Sequence, residues 1–477
     1  MHLRVQEGDI HLTNLKTRMP FKYGIATMTR MPMAFVRIAL EIDGKTVFGV
    51  SADLLPPKWF TKDPGSDVDN EVHEMLAVIA RGLEIAIGIE GDSPFEIWQE
   101  LYEAQDIWSE TEDVPGLLAH FGTSMIERAI LDAFCRGVGD SFHRLLLSDR
   151  LGVQLGSIHP ALQGQSPADL LPQSPSRSVI ARHTVGLADP IVSDDVGAND
   201  RLDDGLPQSL GECISRYGLK HFKIKIGGNL EVDRRRLIEI ANLLQSAVPE
   251  GMAFTLDGNE QFPDAAAFRA YWTELNATPE LTGFWHAMIF VEQPIHRSNA
   301  LDADTADFTN WGDRPPIIID ESDSSVRSLP TALKLGYAGT SHKNCKGVFK
   351  GVANACLLEH LRRKNPGNSY LMSGEDLCNL GPVSLLQDLA VCAVLGVESV
   401  ERNGHHYNAG LSQFPMQIQE QIIKSHGDLY QRSAHKWPTL HIQDGQIKLA
   451  SINESPFGVR FLIDPSNFTP AEDWQWP

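Results

Sequence analysis

Two lysines one residue apart, Lys223 and Lys225, stand in the run Phe222-Lys223-Ile224-Lys225-Ile226-Gly227. Side chains alternate faces along a strand, so both ammonium groups share one face while their apolar neighbours take the other. Three further β-rich runs end in carboxylates: Phe254-Thr255-Leu256-Asp257-Gly258-Asn259, Ile289-Phe290-Val291-Glu292-Gln293-Pro294 and Ile317-Ile318-Ile319-Asp320-Glu321-Ser322. The steps from 257 to 292 and on to 320 suit one βαβ unit each, at roughly 30 residues. Three acids on one rim repel unless a cation neutralises them, and carboxylates with water suit hard Mg²⁺. A third lysine lies in Ser341-His342-Lys343-Asn344, one strand further on. It faces the rim from across the barrel relative to Lys225. A lysine serves as a general base when its pKa falls from about 10.4 towards about 7 to 8, and burial, a neighbouring Lys and a divalent cation act in that direction.

The elements that must position these groups are eight short runs: 179–187, 221–226, 253–257, 289–292, 317–320, 339–344, 370–373 and 397–401. Helical stretches alternate with them, which favours a closed (β/α) barrel over an open sheet and puts the polar strand ends at the active face. Before them, Ala34 to Leu40 and Thr46 to Val50 flank an Asp43-Gly44 turn, a hairpin signal. From about 70 to 147 apolar residues recur at three and four, the helical period. Sheet followed by helices makes an N-terminal α+β domain over 1–170. Pro172 to Ser178 reads as a linker, the barrel spans 178–403, and the tail, 404–477, is expected to pack back on the N-terminal domain. The segment from Asp189 to Asp204 carries six Asp and reads as a solvated loop.

With 41 Lys and Arg against 62 Asp and Glu the chain has a formal charge of −21, which excludes a nucleic-acid role that needs clustered basic charge. Apolar residues at 42% and charged ones at 22% exclude disorder on the scale of the chain. The first residues, Met1 to Arg18, hold no apolar run of signal-peptide length, and no later run could span a membrane, so a cytoplasmic protein is expected. The six cysteines, dispersed and without zinc-ligand spacing, read as reduced, buried thiols.

Taken in order, Lys223-x-Lys225, Asp257-x-Asn259, Glu292-Gln293-Pro294, Asp320-Glu321-Ser322 and Lys343 resemble the enolase superfamily, in particular its muconate-lactonizing subgroup. The resemblance extends to the N-terminal domain through Pro20 to Thr27 and Ala129 to Phe134, and to the tail through Asp444-Gly445-Gln446-Ile447 and Phe457-Gly458. It implies a modified (β/α)₇β TIM-type barrel under an α+β capping domain completed by the C-terminal tail. It also implies one Mg²⁺, with Mn²⁺ as a substitute, held by Asp257, Glu292 and Asp320. Lys225 and Lys343 would be the acid/base pair and Lys223 an electrostatic helper. The activity implied is removal of the proton next to the carboxylate of a small-molecule substrate, giving a metal-stabilised enediolate. A racemase or epimerase is the leading outcome, with a cycloisomerase, a syn-eliminating lyase or a silent binding protein as alternatives. The run Tyr370 to Asp376 lacks the His that the mandelate-racemase subgroup uses, and Glu401-Arg402-Asn403 departs from the Asp-x-Asp of dipeptide epimerases.

The mouth is expected to be closed by residues 21–30 and 54–62. Phe21, Tyr23, Asn259, Glu375, Asp376, His405 and His406 are the candidate substrate contacts, and a homo-oligomer without nucleic-acid or membrane partners is expected.

Overall fold

The computed structural model describes residues 1–23 and 25–476, apart from the side chain of Tyr23. Three antiparallel strands, Leu3–Tyr23, Ala26–Ile42 and Lys45–Leu54, open the chain as a meander. Ile42 pairs with Lys45 across a two-residue turn in which Asp43 and Gly44 both have positive φ, as the Asp-Gly pair requires. Helices Val68–Ala86, Pro94–Thr111 and Gly116–Val138 then cover this sheet. The third lies so close to the sheet that a Cβ on Gly49 would meet the Ala129 carbonyl oxygen at 2.2 Å, so glycine sets the approach of strand and helix. Every residue of that helix from Leu117 to Cys135 is buried, because it is sandwiched between the sheet and the barrel.

The barrel strands are Ser178–Val185, His221–Lys225, Ala253–Asp257, Met288–Glu292, Ile317–Ile319, Gly339–His342, Leu371–Gly374 and Ser399–Arg402. Each pairs in parallel with the next, and the eighth closes on the first through Val400 and Ala181. This is the closed barrel under an α+β cap that the sequence implied. Interior positions follow the alternation: Phe222 and Ile224 pack outward against helices while Lys223 and Lys225 enter the barrel.

The tail does more than return to the cap. Thr469–Pro470 pairs with the first cap strand, and Arg136 donates to the carbonyl of Val459, but a hairpin at Asp444-Gly445 adds antiparallel to the first barrel strand, with Ile447 opposite Val179. The tail thus packs on the barrel as well as on the cap: the hairpin covers the start of strand 178–185 on the edge opposite the eighth strand. The acidic segment is only partly a solvated loop. Asp189 accepts from Tyr407 Oη at 2.5 Å, and Asp204 pairs with Arg18 of the cap at 2.6 Å. Among the described residues no helix is long and apolar enough to cross a membrane.

Cap and barrel are joined by Glu127. Its two carboxylate oxygens accept from the backbone N–H of Val348 and Phe349, at 2.8 and 2.7 Å, at the start of helix Val348–Lys364, which has no side-chain cap of its own. Burial lifts the Glu127 carboxyl to about 7, against the lowering pull of those two amides. A raised folded-state value means that folding takes up a proton, so this contribution is full below the unfolded glutamate range and is lost as pH climbs through 7. Glu127→Ala should cost about 1 to 3 kcal/mol, and Glu127→Gln should flatten the slope of stability between about pH 5 and about pH 8; denaturant unfolding at both pH values measures each effect.

Candidate active site

At the C-terminal ends of the barrel strands lies a cleft between barrel and cap. Lys223, buried on the second strand, is its electrostatic centre. Its Nζ lies 3.0 Å from Asp257, 2.8 Å from Glu292, 2.7 Å from Glu375 and 3.1 Å from Glu401, carboxylates from four different strand ends. Burial alone would lower the Lys223 pKa, but these four charges hold it well above its ordinary value. Lys225 reaches the rim and donates to Asp257 Oδ2 at 2.5 Å. Strands two and six stand opposite one another in the closed order, and there Lys343 makes the matching contact, donating to Asp320 Oδ2 at 2.6 Å. Lys346 and Ser341 hold the other oxygen of Asp320, at 3.1 and 2.5 Å.

The anticipated lowering of the Lys343 pKa is not what this geometry gives. Burial, the largest single influence, lowers it as expected, but the carboxylates of Asp320, Glu292 and Glu321 together raise the group well above its ordinary value. Asp320 is correspondingly held well below the usual carboxylate range by Lys343 and Lys346, which overcome its burial. The ammonium form is thus favoured while Asp320 is its partner.

The carboxylate set fits a hard divalent cation. Lys225 and Arg182 also serve Asp257 and Glu375, but among the described residues Glu292 pairs with Lys223 alone, and burial followed by the charges of Asp257 and Glu375 pushes its carboxyl well above the usual range. Glu292 Oε2, although 2.8 Å from Lys223 Nζ, is not aligned to accept a hydrogen bond, and Oε2 of Glu321 and Oδ1 of Asn259 are buried without hydrogen-bond partners. Of these, Glu292 Oε2 belongs to the strand-end carboxylate set, and an unsatisfied carboxylate oxygen is the kind of donor that Mg²⁺ takes.

The cap supplies the roof. Phe21, Met28, Pro56 and Trp59 line the cleft, and the Trp59 ring centroid is 4.4 Å from Lys343 Nζ. Arg297 of the barrel donates to the carbonyls of Trp59 and Phe60, and Lys62 donates to the Asn259 carbonyl at 2.5 Å, so segment 54–62 is fastened to the barrel rim. Tyr23 was also expected at this roof, but its side chain lies outside the described residues.

Asn259 and Asp376 line the cleft as expected. Burial lifts the Asp376 carboxyl to about 7 despite Arg402 nearby. Glu375 does not line it, being engaged below by Arg182, Ser373 and Lys223. His405 and His406 do not line it either. They sit on a short turn of helix, Gly404–Tyr407, which rolls both rings behind the rim towards His183 and Cys213. Trp59 belongs to the 54–62 segment expected at the mouth, but two participants escaped sequence reasoning. Glu401 lies one residue before the end of its strand, so the strand-end pattern was there to be read; Lys346 carried no such signal.

No protein-family model matches the chain, and no curated protein does. Solved structures do, and these neighbours are members of the enolase superfamily. A muconate lactonizing enzyme from Pseudomonas fluorescens, solved with muconolactone, matches with a TM-score of 0.61 and 15% identity over 98% of this chain and 99% of that one. A dipeptide epimerase from Enterococcus faecalis, solved with Mg and L-Leu-L-Tyr, gives 0.57 and 14% over 95% and 99%. An enolase from Bradyrhizobium, solved with magnesium and mandelic acid, gives 0.57 and 13% over 94% of each chain. The likeness establishes the two-domain fold.

Mg²⁺ titration calorimetry on Asp257→Asn, Glu292→Gln and Asp320→Asn should show affinity lowered more than about tenfold in each, which is about 1.4 kcal/mol or more. Glu321→Gln should bind nearly as the parent does. Tight binding by the first three variants, or loss confined to the Glu321 variant, contradicts the ligand assignment.

Proposed function

We propose that this chain is a Mg²⁺-dependent enzyme that removes the proton α to a substrate carboxylate and returns one to the same carbon, a racemase or epimerase. The observation that carries the reading is the mirrored pair at the rim: Lys225 on Asp257 at 2.5 Å and Lys343 on Asp320 at 2.6 Å, from opposite sides of the barrel. A planar intermediate between them offers one face to each lysine. Solved neighbours with bound magnesium, and one with a dipeptide, support the same class of chemistry. Six free, buried cysteines fit a reducing cytoplasm.

The chain's own residues divide the work as follows. Asp257, Glu292 and Asp320 would hold the Mg²⁺, which when bound supplies Lewis-acid charge to the substrate carboxylate as its α-proton leaves. One lysine, as the neutral amine, takes the proton at Nζ; the other, as the ammonium, delivers a proton to the opposite face. Lys223 adds fixed positive charge beneath the site, and preorganised charge of this kind is usually the largest catalytic contribution. Phe21, Trp59 and Leu377 give the distal end of the substrate an apolar wall and keep water out, which strengthens every charge interaction inside. A small carboxylate with an apolar distal group matches this lining.

Lys225→Ala and Lys343→Ala should each lower net turnover by at least about 10² to 10⁴-fold, the usual worth of a proton-transfer group. Each should retain exchange of solvent deuterium into the one enantiomer whose proton faces the surviving lysine, followed by NMR over a carboxylate library with Mg²⁺. Loss of exchange in one variant only identifies a one-base lyase or cycloisomerase. Full turnover in both removes the two-lysine site.

A further inference from the structure

Behind the rim, between the barrel and its helix layer, the fold assembles a second cluster that the proposed reaction does not use. Arg182 and Thr184 point into the barrel, bonding Glu375 and Glu401, so the residue between them, His183, points out. There it meets Cys213, on helix Leu210–Tyr217, and His406, on the turn after the eighth strand. One ligating atom from each of His183, Cys213 and His406 lies within 4.8 Å of the others, and Cys213 Sγ and His406 Nδ1 are already 3.5 Å apart. A tetrahedral zinc, with bonds of about 2.0 Å to imidazole and about 2.3 Å to thiolate, sets its ligands roughly 3.5 Å from one another. One edge is thus at bonding geometry, and the other two lie within 4.8 Å.

We propose that His183, Cys213 and His406 bind a zinc ion as three protein ligands, with a water taking the fourth position of its tetrahedron. Two imidazoles and a thiolate are the borderline-soft set that selects Zn²⁺ over the hard cation of the rim. His405 is the positioning residue: its Nε2 stands 3.2 Å from His183 Nδ1 and fixes that ring from behind, while its own Nδ1 is buried without a hydrogen-bond partner. Burial keeps the rings neutral, with His183 and His406 lowered to about 3, the state in which imidazole ligates. Burial also raises the Cys213 thiol, so binding forms a Zn–S bond, breaks S–H and releases that proton to solvent. The metal would staple the first barrel strand, its following helix and the segment after the eighth strand at the point where the barrel closes. Arg18 of the cap donates to the His406 carbonyl at 3.0 Å, so the staple also anchors the cap.

Co²⁺ substitution of the metal-stripped full chain tests this independently of turnover. The expected result is one equivalent of Co²⁺ that shows a thiolate-to-metal charge-transfer band and tetrahedral d–d bands, apart from any oxygen-ligated Co²⁺ at the rim, which has no thiolate band. Cys213→Ser should lose the charge-transfer band, and Asp257→Asn, which alters only the rim, should keep it. A spectrum without a thiolate band, or a band that survives in Cys213→Ser, overturns the proposal. Should that variant not fold, X-ray absorption at the zinc edge of the parent decides: a sulfur neighbour at about 2.3 Å with imidazole scattering is expected, and a shell of oxygen and nitrogen alone overturns it. Neither result depends on the rim lysines, so failure here leaves the proposed reaction standing.

Discussion

The interior of this barrel is organised around one buried ammonium and the four carboxylates that surround it. Lys223 contacts acids from the third, fourth, seventh and eighth strands, so the ends of half the barrel converge on a single side chain. Burying such groups is unfavourable unless each is paired. The excess negative charge must be met elsewhere, and the structure meets it from three directions: Arg182 from below on Glu375, Lys225 at the rim on Asp257, and Lys343 with Lys346 on Asp320. The cluster is thus one network, and a charge removed from any part changes the ionisation of the others.

The same network makes the cap necessary. Open to water, these pairs would be screened and weak; under a roof of Phe21, Met28 and Trp59 they act in a medium where charge interactions are several times stronger. The roof is held by polar contacts at its edge and not only by apolar packing. Arg297 is shared between Glu260 and the carbonyls of Trp59 and Phe60, Lys62 spans to the Asn259 carbonyl, and Arg18 reaches the loop after the first strand and the turn after the eighth. Each of these crosses from cap to barrel, so the cap is oriented over the rim by the residues that surround the opening.

Most of the rim was legible because strand alternation and βαβ spacing are local properties. Lys223, Lys225, Asp257, Glu292, Asp320 and Lys343 follow from runs of five or six residues, and closure of the barrel then brings them together. What stayed hidden depends on contacts across the ring. That Glu375 turns down to Arg182, that Lys346 joins Lys343 on Asp320, and that the Lys343 ammonium is stabilised and not depressed are consequences of which side chain faces which, 23 to 193 residues away in the chain. The His405-His406 pair misled for a similar reason: its place after the eighth strand pointed to the mouth, while one turn of helix rotates both rings behind it.

The first barrel strand shows how tightly the two faces are coupled. Arg182 and Thr184 serve the charge network inside while His183 serves the cluster outside, so a slip of one residue would exchange them. An imidazole would then face Glu375 and Glu401, and a guanidinium would enter an apolar helix layer beside Cys213. Neither placement can be satisfied, and the register is pinned from both edges of the strand as well: Val400 pairs with Ala181 on one side, and Ile447 of the tail hairpin pairs with Val179 on the other. The tail, remote from the chemistry in sequence, therefore fixes which residues of that strand reach the site. A barrel that must bury this much charge needs its register set before the charges are placed, and the antiparallel hairpin beside the closure point is an element able to set it.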